Sequence, residues 1–316
     1  KEISKKKLKD ILSDPMITTE RIPHYQEPWT SSYINLLRKG SKYDLRPFVD
    51  LQEITKVISE VKDLIWRGGK VKTERAFKFI IRFLLTKLWD EESTEEGQEY
   101  SLQIKPQDKN KEGIDDGFVN RINEKYREAL HNLIGIPPEQ AMRDDILTIE
   151  YEREGRPIKI DKEILFEIVR RVQNYRFRAD RSNVDLLGEF FERFLWDEYK
   201  QEKGQFFTHP NLVRFIVEML QLPQKFVEKV RKREYPYILD PACGSGTFLV
   251  EAMKSIDRLI HSGEEYKDVR EGLEKIKGKE KHWAYKFLYG IDVERDLLLT
   301  AQFNMIMHGD CSVSIF

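Results

Sequence analysis

The sequence predicts an α/β fold, a parallel sheet with helices crossing between its strands, preceded by an all-α helical domain. Three observations carry that reading. The stretch Tyr237–Val250, YILDPACGSGTFLV, passes from an apolar run through a turn of small residues into a second apolar run. The segment Lys286–Asp292, KFLYGID, is a further apolar run that ends on an acid. Upstream, from Leu51, apolar residues recur at three- and four-residue spacing, the period of helices buried along one face.

In the first stretch, Tyr237, Ile238 and Leu239 read as a buried parallel strand, the glycine-rich segment as a tight loop, and the residues after Gly246 as the first turn of a helix. Gly244 and Gly246 lack a Cβ, so the backbone there can take positive φ and admit a ligand close to its amides. Asp240 puts a carboxylate at the mouth of the loop, suited to an amine or a hydroxyl. A phosphate-binding loop is the nearest rival, but it needs Lys-Ser or Lys-Thr after the last glycine, and an acid at the mouth repels phosphate. A plain strand-to-helix turn is the simpler alternative. Asp292 closes the second strand; an acid there holds ribose hydroxyls in dinucleotide-binding folds, because its two oxygens accept both. An ordinary strand-end carboxylate is the alternative.

Composition sets the bounds. At 316 residues the chain is long enough for two domains with their own cores. Lys and Arg number 54 against 55 Asp and Glu, a net charge of −1, so no global basic field advertises nucleic acid. Such a partner has to be met by a local patch or by parts of the protein outside this chain. Cys243 and Cys311 make neither a disulfide framework nor a zinc-ligand set, and no metal site is expected. Both read as reduced thiols of a cytoplasmic protein. No apolar run is long enough for a membrane span, and no signal peptide is visible. Lys1 is not a natural start, so a trimmed piece is expected.

In chain order, residues 1–50 hold a basic stretch, Lys5 to Lys9, and four prolines, and their role is open. A solvated helix face accounts for the lysines, and phosphate contact is the other reading. Residues 51–200 form the expected helical domain. Leu51, Ile54, Val57, Ile58, Val61 and Ile65 mark one face of a helix that Gly68-Gly69 ends. Thr73–Trp89 is apolar over more than one face and belongs in a core. Glu91–Gly113 reads as a surface loop, Phe118–Ile134 as a helix stopped by Pro137-Pro138, and Lys162–Val172 and Val184–Tyr199 as two more, the last capped by Ser182 or Asn183. Residues 201–316 carry the sheet. Gly204 ends a helix, Gln205–Thr208 is extended, and Thr208 or Asn211 caps a helix with Leu212, Phe215, Ile216, Met219 and Leu220 on its apolar face. Its N-terminus would offer free amides and a positive dipole end beside the glycine loop. His261–Lys281 reads as a long surface connection. A helix with Leu298, Ala301, Met305 and Ile306 on its apolar face leads through His308-Gly309-Asp310 to a third strand, Val313–Phe316.

DPACGSGTF resembles the cofactor loop, motif I, of the DNA adenine-N6 methyltransferases, above all the modification subunits of Type I restriction systems and their single-chain relatives. GQFFT, Gly204 to Thr208, resembles motif X of that family, GQ(F/Y)(F/Y)TP, with His209 where proline is usual and Pro210 one residue late. YGIDVERDLLLTAQFNMIMHG resembles motif II and its helix. The resemblance implies that residues 201–316 are the first part of a Rossmann-like methyltransferase domain that follows a helical domain. It implies S-adenosyl-L-methionine as cofactor, with Asp240 near its methionine end and Ala242, Cys243, Gly244, Ser245, Gly246 and Thr247 curving around it. Asp292 would bind the ribose, Val293 would lie against the adenine, and Gly204, Gln205, Phe206, Phe207 and Thr208 would line the pocket.

The reaction implied is methylation of N6 of a flipped adenine in double-stranded DNA. Implied partners are a specificity (target-recognition) subunit or domain and a restriction nuclease subunit or domain. That chemistry needs an acceptor for the amino protons and a stacking partner for the extruded base. The family supplies them with a (D/N/S)PP(Y/F) motif, which does not occur here: Pro137-Pro138 follows Ile136 and precedes Glu139. No catalytic residue is therefore assigned, and those residues, with the family's motif III acid, are expected beyond Phe316; Asp310 is an outside candidate for that acid. Half a doubly wound sheet would leave an open strand edge. A different class stays open, a non-catalytic module that binds DNA or partner subunits and keeps the cofactor fold as scaffold. Methylation of another planar amine or amide is a third, against which the long helical N-terminus and GQFFT argue.

Overall fold

A computed structural model of the chain describes residues 36–66, 73–151, 156–177, 208–277, 282–308 and 314–316. The lysine run, Gly68-Gly69, the expected helix 184–199 with its cap, and Asp310 lie outside the described residues.

The helical body forms where the apolar period is strongest. Helix α1, Leu51–Trp66, buries Ile54, Ile58, Val61 and Ile65. Helix α2, Thr73–Ser93, buries Phe79, Ile80, Ile81, Phe83, Leu84, Leu85 and Leu88, which cover most of its circumference, so it runs through the core as its sequence requires. Helix α3, Asp116–Asn132, is capped by Asp115, whose carboxylate accepts from the Gly117 amide, and packs on α2. The helix ends at Asn132, before Pro137-Pro138 is reached. Gly135 takes a φ of 80° and the amides of Gly135 and Ile136 return to the His131 and Leu130 carbonyls, so a glycine cap and not the prolines stops it. Pro138 then opens a short helix α4, Pro138–Ala141. Helix α5, Lys162–Val172, buries Leu165, Phe166, Ile168, Val169 and Val172.

This body is not purely helical. Three two-stranded ladders trim it: β1 (Arg46–Pro47) with β6 (Tyr175–Arg176), β2 (Lys109–Asn110) with β3 (Gly113–Ile114), and β4 (Thr148–Tyr151) with β5 (Pro157–Lys159). The first ladder, with Phe48 stacked on Tyr175 at 4.6 Å, draws residues 36–50 into the helical body rather than leaving them as a separate segment. The expected surface loop 91–113 is likewise tied down. Helix α2 continues to Ser93, Tyr100 and Leu102 are buried, and the Asp90 carboxylate accepts from the amides of Ser101 and Leu102. The charge of that segment hid two apolar anchors and a buried cap.

Downstream lies a three-stranded parallel sheet in the order β7-β8-β9, with β7 Ile238–Asp240, β8 Leu288–Gly290 and β9 Ser314–Ile315. Before it, α6 (Pro210–Met219) and α7 (Leu222–Arg231) pack on α8 (Thr247–Ile260), the helix leaving the glycine loop. The stretch 261–281 is more than a connection. It holds α9, Lys267–Lys277, whose Val269 and Leu273 are buried in the sheet core. A short helix α10, Ala284–Phe287, takes the start of the expected second strand. Strand β7 is not buried as expected: Leu239 is 57 % exposed, because it shares a sheet face with its ladder partner Tyr289, while Ile238 and Leu288 face the core on the other side.

Helix α11, Arg295–Met307, joins the two halves. Ala301 and Met305 belong to the sheet core, while Phe303 and Met307 belong to the core of the helical body, where α11 packs on α2. A helix apolar on both sides is a helix buried on both sides.

Candidate functional site

The glycine loop, the end of β8 and the start of α11 enclose a cavity of about 400 Å³. Parallel strands place these parts together, since loops leaving adjacent parallel strands emerge at the same sheet edge. Ladder pairing continues past both strands: the Ile291 amide donates to the Asp240 carbonyl and the Cys243 amide to the Ile291 carbonyl, both at 2.9 Å.

Asp292 ties the two loops. One carboxylate oxygen accepts from the Gly244 amide and the other from the Glu294 amide, each at 2.9 Å. A carboxylate offers about four lone-pair sites, so two remain for a ligand. Asp240 turns one oxygen to its own loop, accepting from the Ala242 amide at 3.1 Å. With two acids beside it, the cavity favours cations and hydroxyls. Cys243 reports that field: burial first, then the charges of Asp240 and Asp292, push its thiol up to about 12. It is therefore held as a neutral thiol and is no nucleophile.

Donors come from the loop backbone. Gly244 and Gly246 sit at φ 53° and 77°, as expected of these glycines. A Cβ on Gly246 would meet the Ala301 Cβ at 3.1 Å, so this glycine admits helix α11 rather than a ligand. Among the described residues the amides of Ser245, Thr247 and Phe248 have no acceptor, as befits the first turn of α8. The expected donors at the start of α6 are spent instead. His209, not Thr208 or Asn211, is the cap: its Nδ1 accepts from the Asn211 amide at 3.2 Å, and its carbonyl takes the amides of Leu212 and Val213. Pro210 at the first helical position moves the cap to the residue before it.

Of the residues singled out in the sequence, Thr208, Ala242, Cys243, Gly244, Ser245, Thr247, Asp292 and Val293 line the cavity. Asp240, the last residue of β7, and Gly246, in the loop, do not line it, and Gly204, Gln205, Phe206 and Phe207 lie outside the described residues. Phe248, Glu294 and Leu297 also line it and were not anticipated. Each is one to five residues from an anticipated one, so the motif's flanks were the available signal. Val293 is 97 % exposed, an apolar surface free to meet a flat ligand. Among the described residues no group of three His, Cys, Asp or Glu side chains could hold a metal, and no helix is long and apolar enough to cross a membrane.

Residues 182–313 match the family model described as N-6 DNA Methylase. The Type II restriction enzyme and methyltransferase RM.BcgI of Heyndrickxia coagulans is 26 % identical over 129 residues, 41 % of this chain and 17 % of that protein. The Type I restriction enzyme MjaVII methylase subunit of Methanocaldococcus jannaschii is 26 % identical over 148 residues, 46 % of this chain and 20 % of that one. The Type I restriction enzyme EcoEI methylase subunit of Escherichia coli is 24 % identical over 211 residues, 63 % of this chain and 36 % of that one. The chain thus spans about a fifth of the length of the first two relatives.

Proposed function

The chain is a relative of the N6-adenine DNA methyltransferases of restriction-modification systems, and from that premise we propose that its cavity binds S-adenosyl-L-methionine and that the protein methylates N6 of adenine in duplex DNA. One observation carries the reading: the Asp292 carboxylate, bonded to the Gly244 amide, joins the glycine loop and the second acidic strand end around a single cavity.

The residues present fit the cofactor's mixed chemistry. Asp292 keeps lone pairs for the ribose hydroxyls, and Val293 offers an apolar face to the adenine. The amides of Ser245, Thr247 and Phe248 suit the carboxylate at a helix N-terminus. Asp240 and Asp292 favour the cationic groups, and Thr208 adds to the cavity wall. When bound, the cofactor supplies a methyl group already activated on a sulfonium. The chain's own part is to orient that group and hold its charge in a shaped, charged site. The methylation partners are double-stranded DNA, a specificity subunit or domain and a restriction nuclease subunit or domain, in the cytoplasm.

Calorimetric titration of the folded chain with S-adenosyl-L-methionine tests the assignment. Saturable binding that is weakened at least tenfold by Asp292→Ala supports it. Absence of binding heat in a sample whose thermal unfolding is cooperative overturns it.

A further inference from the structure

Helix α11 carries one fully buried amide side chain among its apolar residues, that of Asn304. Its Nδ2 donates to the Ser245 carbonyl at 3.0 Å. The orientation follows from chemistry, since a carbonyl can only accept and so only the NH₂ end can face it. The Oδ1 end is buried without a donor among the described residues. Burying half an amide unpaired costs stability, and a leucine would fill the same space without that cost, leaving only the Ser245 carbonyl short of a donor. Packing therefore gives no reason for Asn304. What the residue achieves is the direction of one carbonyl in the glycine loop.

That direction matters for the cavity. Ser245 lines it, and the loop's unspent groups there are the amides of Ser245, Thr247 and Phe248. The Gly246 amide turns back to the Cys243 carbonyl at 2.7 Å. With its carbonyl drawn to α11, Ser245 adds no acceptor to that donor set. The neighbours of Asn304 grip the helix from both sides: Phe303 and Met307 in the core of the helical body, Ala301 and Met305 in the core of the sheet. Ala301 also sits against Gly246 of the same loop.

We propose that Asn304 is a positioning residue of the glycine loop. It holds the Ser245 carbonyl against α11 so that the loop presents donors to the ligand, and through α11 it makes the loop's conformation depend on the helical body. The proposal rests on the reading of the cavity as an S-adenosyl-L-methionine site.

The test compares the wild-type chain with Asn304→Leu, by thermal unfolding without ligand and by calorimetric titration with S-adenosyl-L-methionine. The expected result is an unfolding midpoint close to that of the wild type, because the variant exchanges the unpaired Oδ1 for a Ser245 carbonyl without its donor, with affinity weakened at least tenfold. A purely structural role would move the two readouts together. Binding within twofold of wild type in a folded Asn304→Leu chain overturns the proposal. If that variant does not fold, the side-chain NH₂ resonances of Asn304 in the wild-type chain decide. They should shift during the titration with the same midpoint as the Gly244 amide, and their failure to move at saturation overturns the proposal. A folded wild type that binds no S-adenosyl-L-methionine removes the assignment of the cavity and this inference with it. Wild-type binding with an indifferent Asn304 removes this inference alone.

Discussion

The Asp292 carboxylate accepts the Gly244 amide at 2.9 Å, across 48 residues of sequence. Its second oxygen takes the Glu294 amide, so one side chain fixes both loops that face the cavity. Asp292→Ala strips both amides of their acceptor. The Glu294 amide is exposed and rehydrates, while the Gly244 amide is partly buried. The expected loss of stability is about 1 kcal/mol, read from the midpoint of urea unfolding. Asp292→Asn retains a single oxygen and should fall between the wild type and Asp292→Ala in both stability and cofactor affinity.

Gly246 meets two demands at once, a φ of 77° and the Ala301 Cβ 3.1 Å from where its own would be. Gly97 meets the first alone: its φ is 81° and nothing lies within 4 Å. Gly97→Ala should cost about 1–2 kcal/mol, the backbone penalty for an L-residue in that region. Gly246→Ala should cost about 1–3 kcal/mol more through overpacking. Adding Ala301→Gly should recover part of the second amount, and a double-mutant cycle on unfolding midpoints measures it.

The helical body holds a buried ion pair, Lys87 Nζ to Glu91 at 3.3 Å, with Lys87 fully buried. The Glu91 carboxylate also accepts the Phe177 amide with both oxygens, at 2.9 and 3.1 Å. Lys87→Met takes this cation from the buried carboxylate and should cost up to about 3 kcal/mol in chemical denaturation. The double variant Lys87→Met, Glu91→Gln should regain part of that loss, because a neutral amide is cheaper to bury than a carboxylate that has lost this cation.

The glycine loop was legible in sequence because its chemistry is local. Small residues, an acid and a following apolar helix sit within Tyr237–Val250, and the strand, loop and helix appear there within a residue or two. What stayed hidden depended on distant partners. Helix α9 is charged on most of its surface, and Val269 and Leu273 reveal it only once α8 and α7 are there to cover them. Helix α7 escaped for the same reason, its Phe226 being buried against Trp283 with ring centroids 4.7 Å apart. Helix α11 read as having one apolar face, because no periodicity tells that a second core waits on its other side. His209 as a cap is a substitution of imidazole nitrogen for the usual oxygen acceptor, which the common cap preferences do not anticipate.

Cys243 offers a probe of the cavity's electrostatics. Burial and the two flanking acids push its thiol up to about 12, from an ordinary value of 9.0. The folded state thus binds this proton more tightly than the unfolded chain does. The corresponding contribution to stability is complete below pH 9 and drains away as pH rises from there toward 12, once the unfolded thiol ionises and the folded one does not. Labelling by iodoacetamide requires the thiolate. In a Cys311→Ser background, the folded chain should therefore label far more slowly at pH 8 than the chain unfolded in urea. Asp292→Ala removes one of the two charges and should speed labelling of the folded chain at pH 8. Labelling of the folded Cys311→Ser chain at the unfolded rate would mean that neither burial nor the acids hold the thiol neutral. The electrostatic account of the cavity would then be wrong at the residue where it is most directly measured.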